Sequence, residues 1–258
     1  MEQKFFFFDI DNTLAVWPEG KIPDSAQYCI DELQRRGHLV SIATGRIQVD
    51  AMRFAEQARI TNVVADGGHS ITIDGNLVSM IGMNREMCIQ YLEYLESKHI
   101  PWAVTDRNKL GRITPYKEIL EWHPDWDVFK TVVDPEFDFH SVADFYKIYV
   151  FFKDGEEEEK DIEHMTHKLI RYGEGCVLYE PMEKALGIRN MIGHFDMKPN
   201  QVVVFGDGYN DLSMFRPEWL NIAMGNARPE LKLEADYVTT DCDKDGIYNA
   251  CKHFGWID

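Results

Sequence analysis

The chain has 258 residues, of which 45% are hydrophobic and 28% are charged, and its formal net charge is −17 at pH 7. These values are typical of a globular protein with one large domain or two of ordinary size. The negative charge argues against nucleic acid and anionic membranes as partners, because both are bound mainly through clustered Lys and Arg. Five scattered cysteines without a Cys-x-x-Cys pair indicate neither a disulfide framework nor a zinc site. We find no signal peptide and no apolar stretch of about 18 residues, and therefore expect a cytoplasmic protein.

The first part of the chain alternates predicted strands and helices, which is the pattern of a parallel sheet flanked by helices. The apolar run Phe5–Phe8 predicts a strand that is buried on both faces. Residues 24–36 predict a helix, with Asp24 as its N-cap and Gly37 placed to end it. The other predicted elements of this part are a strand at Leu39–Ala43, a helix near Gln48–Ala58, a strand near Asn62–Ala65, and a small hairpin with strands at 71–73 and 77–78 around the turn Asp74-Gly75.

From about residue 82 to residue 183 the segments become longer and more polar, with many aromatic side chains. Residues 146–152 predict a strand with a turn at Asp154-Gly155, and the glutamates at 156–159 favour a helix start because they suit the helix dipole. Lys184 then begins a predicted helix at 184–192, and the alternation resumes with short strands at 202–205, 221–224 and 237–239. We therefore expect an α/β fold, in which a Rossmann-like parallel-sheet core (1–81 and 184–258) is interrupted by an inserted α+β domain (82–183).

Acidic residues follow two of the predicted buried strands. Asp9 and Asp11 lie two residues apart just after the first strand, and Asp207, Asn210 and Asp211 follow the strand at 202–205. In open parallel sheets, ligands bind at the carboxyl ends of the strands. A simple acidic turn would explain the first group, and an N-cap would explain one polar residue of the second but not the whole group.

Two weaker signals lie between these groups. The strand Leu39–Ala43 ends in Thr44-Gly45-Arg46, where a hydroxyl and backbone N–H groups can bind a phosphoryl oxygen, although a simple turn explains this sequence as well. Lys184 would ordinarily be a surface charge on its helix. Its position, ahead of the strand that leads to Asp207, is what distinguishes it.

Taken in order, these motifs are those of a known superfamily. Asp-x-Asp-x-Thr, an apolar strand ending in Thr, a Lys, and Gly-Asp-x-x-x-Asp after a strand resemble the haloacid-dehalogenase-like (HAD) superfamily over the whole chain. The long insertion and the sequence Asn-Ile-Ala-Met-Gly-Asn-Ala at 221–227 resemble its Cof-type branch, subclass IIB. Two positions depart from the family pattern. Asn12 replaces a common Gly but tolerates left-handed turns, and Ala185 replaces the Gly that often follows the Lys.

The resemblance implies a phosphatase that hydrolyses small phosphorylated metabolites through an aspartyl-phosphate and requires Mg²⁺. It implies that Asp9 is the nucleophile and that Asp11 is the general acid and then the general base. The implied Mg²⁺ ligands are the carboxylates of Asp9 and Asp207 and the backbone carbonyl of Asp11, with Asp211 supporting them. The inserted domain would be a cap that closes over the site and sets specificity. The implied phosphate-binding residues are Ile10, Thr44, Gly45, Lys184 and Asn210.

Other functions fit parts of this pattern. A phosphomutase of the same superfamily would use Asp9 and Asp11 in the same way, so the sequence does not separate it from a hydrolase. A dehalogenase fits less well, because that chemistry needs no Mg²⁺ and has no use for Asp11 as an acid. A phospho-ligand-binding module without turnover belongs to a different class, and the intact set of motif residues argues against it.

The substrate and the oligomeric state are not readable from the sequence: a sugar phosphate, a nucleotide and a cofactor phosphate all fit. His164 and His167 lie one helical turn apart, and we interpret them as surface residues because no further metal ligands accompany them. Several aromatic and basic residues of the insertion are candidate substrate contacts, although packing or surface charge is the interpretation we prefer for each. They are Trp102, Arg107, Arg112, Tyr116, Trp122 and His123.

Overall fold

The computed structural model describes residues 2–125, 128–153, 156, 162 and 169–258. The expected turn at Asp154-Gly155, residues 157–159 of the expected helix start, and His164 and His167 lie outside the described residues. The chain divides into two compact units. We call Met1–Met80 with Met182–Asp258 the core unit, and Ile81–Pro181 the inserted unit.

Within its described residues, the core unit contains one eight-stranded sheet. Its strands are β1 (Phe5–Phe8), β2 (Leu39–Ala43), β3 (Asn62–Ala65), β4 (Ser70–Ile73), β5 (Asn76–Met80), β12 (Val202–Gly206), β13 (Leu220–Ala223) and β14 (Tyr237–Val238). They lie in the order β14-β13-β12-β1-β2-β3-β4-β5. The six strands from β14 to β3 are parallel, whereas β4 and β5 form the expected antiparallel hairpin. The α/β class with a large parallel sheet is therefore confirmed.

Strand β1 is central because its side chains are apolar on both faces. All four Phe side chains are fully buried. Phe6 and Phe8 pack into one hydrophobic cluster of the core unit, while Phe5 and Phe7 point to the opposite face and pack into a second cluster. Burying a Phe side chain contributes roughly 1.5–3 kcal/mol relative to leaving it exposed. A strand that is apolar on both faces is therefore stable only inside a sheet that is covered on both sides.

Helices cover both faces of this sheet. They are α1 (Asp24–Arg35), α2 (Gln48–Ala58), α5 (Lys184–His194), α6 (Pro229–Leu233) and α7 (Gly246–His253). Side chains of α1, α2 and α7 contribute to the first cluster, and side chains of α5 and α6 contribute to the second. The expectation that Asp24 caps α1 is wrong: Pro23 holds the N-cap position and Asp24 is the first helical residue, where its charge suits the helix dipole. Gly37 has φ +83° just after the end of α1, as its predicted role at the helix end requires.

The inserted unit is a separate α+β body. Its described strands are β6 (Trp102–Thr105), β7 (Gly111–Thr114), β8 (Lys130–Val133), β9 (Lys147–Phe151), β10 (Leu169–Gly173) and β11 (Cys176–Tyr179), and its described helices are α3 (Arg85–Ser97) and α4 (Ile119–Trp122). The sheet order is β10-β11-β9-β6-β7-β8. Two hydrophobic clusters form in this unit, and α3 packs into the larger one. Across the described residues of the whole chain, we find no helix with the length and hydrophobicity needed to cross a bilayer.

Candidate active site

The two acidic motifs meet at one edge of the core sheet. Strand β1 lies between β2 and β12, and all three run parallel. Asp9 therefore leaves β1 beside Asp207, which leaves β12, and beside Thr44, which leaves β2. The backbone N–H of Asp9 donates to the carbonyl of Phe205 at 3.0 Å, so the two motif loops are tied together at their first residues. Asp9 is 95% buried, since its exposed fraction is 5%.

Lys184 is part of the same cluster. It is the first residue of α5 and is only 1% exposed, so it is not a surface charge. Its Nζ donates to Oδ1 of Asp9 at 2.6 Å and to Oδ1 of Asp211 at 2.5 Å. The chain reaches this position because Gly68 packs against the backbone just before α5: a Cβ on Gly68 would lie 2.2 Å from the carbonyl oxygen of Glu183. Only glycine fits that approach.

Asp211 organises the turn after β12. Its Oδ2 accepts the backbone N–H groups of Asp207 and Gly208, each at 2.9 Å, while its Oδ1 accepts from Lys184. The side chain is fully buried. Because both carboxylate oxygens already have hydrogen-bond donors, Asp211 is suited to holding Asp207 and Lys184 in place.

The loop after β1 is fixed by polar contacts to two later segments of the core unit, the turn after β12 and the sequence at 221–227. Asn12 adopts φ +56°, the left-handed conformation that its sequence position requires, and its carbonyl accepts from Nδ2 of Asn226 at 2.9 Å. Thr13 donates from Oγ1 to Oδ1 of Asp207 at 3.0 Å. The Thr of the first motif thus orients a carboxylate that comes from 194 residues further along the chain.

Arg46 is a site residue for which no role was predicted from its sequence position. Its Nη2 donates to Oδ1 of Asp11 at 2.7 Å and its Nε donates to Oδ2 of Asp11 at 3.0 Å, so the guanidinium makes a bidentate contact with the carboxylate. Its Nη1 donates to Asp50 at 2.6 Å. The spacing Arg46-x-x-x-Asp50 is the one signal in the sequence, because opposite charges four residues apart at the start of a predicted helix can form a local ion pair.

Burial shapes the charge states of these carboxylates. Burial, followed by repulsion from Asp211, raises the pKa of Asp9 well above its ordinary value, and Lys184 offsets this in part. Burial and repulsion from Asp211 likewise raise the pKa of Asp207 to about 7. The cluster therefore holds more negative charge than its protein partners neutralise, which is the situation that a bound cation would relieve.

The donor set fits a divalent metal ion. One carboxylate oxygen each from Asp9, Asp207 and Asp211 lies within 4.8 Å of the others. Carboxylate oxygens are the ligands of hard divalent cations, and the surplus negative charge favours one. Asp211 is the least suited of the three to direct ligation, because both of its oxygens accept hydrogen bonds from the protein.

The other expected phosphate-binding residues lie in the three loops at this edge. Thr44 is 1% exposed, and its Oγ1 accepts the N–H of Arg46 at 3.1 Å, with Gly45 between them. Ile10 is fully buried between Asp9 and Asp11. Asn210 is half-buried in the turn that carries Asp211.

The candidate substrate contacts of the inserted unit make internal contacts. Trp102 is fully buried and donates from Nε1 to Glu96, which also accepts from the hydroxyl of Tyr116. Arg112 is 3% exposed, and its guanidinium lies over the rings of Phe129, Tyr149 and Phe151. It also donates to the backbone carbonyl of His123 at 2.9 Å. Arg107 is exposed and pairs with its neighbour Asp106, and Trp122 ends α4.

Comparisons with known proteins agree with this geometry. Residues 6–251 match the family model described as haloacid dehalogenase-like hydrolase. A Bacillus subtilis protein named as a phosphatase, YkrA, is 30% identical over 263 residues, and the match covers 100% of both chains. A Streptococcus pyogenes protein, named for a bifunctional phosphatase and peptidyl-prolyl cis-trans isomerase, is 27% identical over 259 residues; this chain spans 54% of its length. The solved structure of BT4131, titled a HAD subclass IIB sugar phosphatase, superposes with a TM-score of 0.79 at 27% identity and covers 99% of this chain and 100% of that one.

The fold and the acidic site thus define a class of enzyme, and the chain belongs to the haloacid dehalogenase-like hydrolase family. Within that family it is a phosphoric monoester hydrolase of the Cof-type branch, subclass IIB, as the resemblance predicted.

Proposed function

We propose that the protein is a Mg²⁺-dependent phosphatase of small phosphorylated metabolites, and that Asp9 is its nucleophile. One observation carries the proposal. The Asp9 carboxylate stands at the carboxyl end of the central strand, hydrogen-bonded to the buried Lys184 and close to the carboxylates of Asp207 and Asp211. This arrangement combines a nucleophile, a fixed cation and a set of oxygen ligands in one place.

In the first step of the proposed reaction, an oxygen of Asp9 forms a bond to phosphorus while the bond from phosphorus to the leaving oxygen breaks. Asp11 donates a proton to that leaving oxygen. In the second step Asp11 accepts a proton from water, whose oxygen attacks phosphorus and releases Asp9. Covalent catalysis of this kind divides one difficult displacement into two easier ones.

The protein groups around the reacting phosphorus would bind and orient the phosphoryl group. Thr44, the backbone of Gly45, Lys184 and Asn210 are the donors that we assign to the phosphoryl oxygens. We assign Asp9, Asp207 and the carbonyl of Asp11 as the Mg²⁺ ligands. When bound, Mg²⁺ supplies positive charge against the phosphoryl oxygens and lowers the repulsion between a phosphate dianion and a carboxylate.

For the substrate class we propose a phosphate monoester of a small metabolite. The similarity to a structure titled a sugar phosphatase supports hexose and pentose phosphates as the first compounds to test. Nucleotides and cofactor phosphates belong in the same panel. Release of inorganic phosphate from each compound, with and without Mg²⁺, would identify the preferred one.

The direct test of the nucleophile is the Asp9→Asn variant. We expect it to lose about a thousandfold or more in the rate of 4-nitrophenyl phosphate hydrolysis, because Asn cannot form the acyl-phosphate. In the wild-type enzyme, borohydride treatment during turnover should convert Asp9 to homoserine, which mass spectrometry of the peptide detects.

Asp31→Asn is the matched control, because Asp31 makes its ion pair with Arg59 on an exposed part of the core unit. It should keep wild-type turnover. Wild-type turnover by Asp9→Asn, or reduction at another carboxylate, would show that the nucleophile assignment is wrong. Wild-type turnover in excess EDTA would contradict the Mg²⁺ requirement.

A further inference from the structure

The contact between Arg46 and Asp11 fixes the carboxylate to which proton transfer is assigned. A guanidinium that donates to both oxygens of one carboxylate sets the position and the plane of that carboxylate, which a single hydrogen bond does not. The two distances, 2.7 and 3.0 Å, are those of charge-assisted hydrogen bonds. The Asp11 side chain is 40% exposed, so its loop alone would leave it free to change rotamer.

Arg46 is itself held from three sides. It lies just before α2, and Asp50 accepts from its Nη1 at 2.6 Å from the first turn of that helix. One turn further along α2, the ring centroid of Phe54 lies 4.6 Å from the guanidinium carbon of Arg46. The ring centroid of Trp17 lies 5.8 Å from the same carbon. The Arg46 side chain is only 16% exposed. A cation with this support is preorganised, which a flexible surface arginine is not.

We propose that Arg46 is a positioning residue for Asp11, and that Asp50 and Phe54 keep Arg46 in the geometry that this task requires. The inference rests on the proposed function, because it concerns the proton transfers assigned to Asp11. Arg46 touches neither the phosphoryl group nor the leaving group in this role. Its effect passes through the carboxylate that it holds.

The proposed role has a defined place in both steps. In the first step Asp11 gives its proton to the leaving oxygen as the bond to phosphorus breaks, and the carboxylate that results is the form that accepts both hydrogen bonds from Arg46. In the second step that carboxylate takes a proton from water, and one of the two hydrogen bonds opens. Misplacement of a catalytic group by about 1 Å can cost about a hundredfold in rate.

Two aryl phosphates that differ only in the acidity of the leaving group test this role. Phenolate needs a proton as it leaves, whereas 4-nitrophenolate leaves readily without one, so only the first depends strongly on Asp11 in the phosphoryl-transfer step. For Arg46→Met we expect kcat/KM to fall about a hundredfold with phenyl phosphate and at most about threefold with 4-nitrophenyl phosphate. Arg46→Lys should recover part of the lost kcat/KM with phenyl phosphate, because it keeps the positive charge but cannot make the bidentate contact with Asp11.

Asp50→Asn removes the carboxylate behind Arg46 and should give a smaller loss with the same preference for phenyl phosphate. Arg53→Met is the control: Arg53 also contacts Asp50, at 3.2 Å, but its side chain is 48% exposed and we give it no part in the reaction. It should behave as wild type with both substrates.

The outcome that overturns the proposal is an equal loss of kcat/KM with both substrates in Arg46→Met, or no loss with either. An equal loss would mean that Arg46 supports the fold of the loop, and thermal melts would then show a lower Tm. The proposed function fails in a different way, by wild-type turnover in Asp9→Asn. The two failures are therefore distinguishable.

Discussion

Replacing Lys184 with Met tests whether one buried cation holds the acidic cluster together. Lys184 is 1% exposed and donates to Asp9 and Asp211 at 2.6 and 2.5 Å. Met has a similar length but no charge, so both carboxylates would stay buried beside Asp207 without their cation. Removing one partner of a buried, hydrogen-bonded ion pair costs about 3–5 kcal/mol. In a protein of this size each kcal/mol lowers Tm by about 2–4 °C, so we expect a fall of roughly 6–20 °C.

Thermal melts in EDTA are the assay, because a divalent cation would replace part of the missing charge. The deficit should depend on pH. Burial and repulsion from Asp211 already raise the pKa of Asp9, and Lys184 lowers it in part, so removing Lys184 raises this pKa further. A carboxyl group with a raised pKa binds its proton more tightly in the folded state, and stability then falls as pH rises. We therefore expect the Tm of Lys184→Met to fall further below that of the wild type at about pH 8 than at about pH 5.

Lys252→Met is the control for loss of a lysine, since Lys252 is exposed on α7. The double variant Lys184→Met/Asp211→Asn removes one of the two carboxylates that lost their cation. It should therefore recover part of the lost stability, but it should not recover hydrolysis of phosphate monoesters. If Lys184→Met unfolds within about 0.5 kcal/mol of wild type, as an ordinary surface substitution does, then Lys184 does not stabilise the cluster. That result would refute the reasoning.

Three further predictions follow from the core unit. Mg²⁺ added to metal-free protein should raise Tm in calorimetry, with about 2.7 kcal/mol of stabilisation at a hundred times its Kd. Gly68→Ala should cost about 1–3 kcal/mol and lower activity, because its Cβ would lie 2.2 Å from the carbonyl oxygen of Glu183, whereas Gly193→Ala, with nothing within 4 Å, should be tolerated. Burial lowers the pKa of His38, so as pH falls the imidazole is protonated in the unfolded chain before it is protonated in the folded protein. In melts across pH, the stability advantage of wild type over His38→Asn should hold above about pH 6.5 and shrink below it.

The core unit was largely readable from the sequence because its central strands β1 and β12 are continuous, buried apolar runs. The run Phe5–Phe8 can only be buried on both faces, and the acidic residues that follow β1 and β12 must then emerge at the same edge of a parallel sheet. Sheet strands of the inserted unit were harder to predict. Strand β7 has four residues, and one of them is Arg112, which is buried under aromatic rings although its charge suggests a solvent-exposed position.

Two features of the site depend on contacts that local sequence does not encode. Lys184 looks like a surface lysine at the start of a helix, yet it is buried, and Gly68 permits the close approach of the chain just before α5. Arg46 stands in the Thr44-Gly45-Arg46 sequence, but its partner Asp11 lies 35 residues earlier. The spacing to Asp50 was readable, yet it predicts only a local ion pair at the start of a helix.

The charge of the site explains why a strongly acidic protein can act on a phosphorylated compound. Four carboxylates, those of Asp9, Asp11, Asp207 and Asp211, lie with two cationic side chains at this edge of the sheet, and both cations already form ion pairs with carboxylates. Neither Lys184 nor Arg46 is therefore a free charge that attracts phosphate from a distance. With a net charge of −17 on the whole chain, long-range attraction is also unfavourable. In the mechanism that we propose, the positive charge that meets the phosphoryl group comes mainly from a divalent cation held by these carboxylates, so the acidic residues favour phosphate binding instead of opposing it.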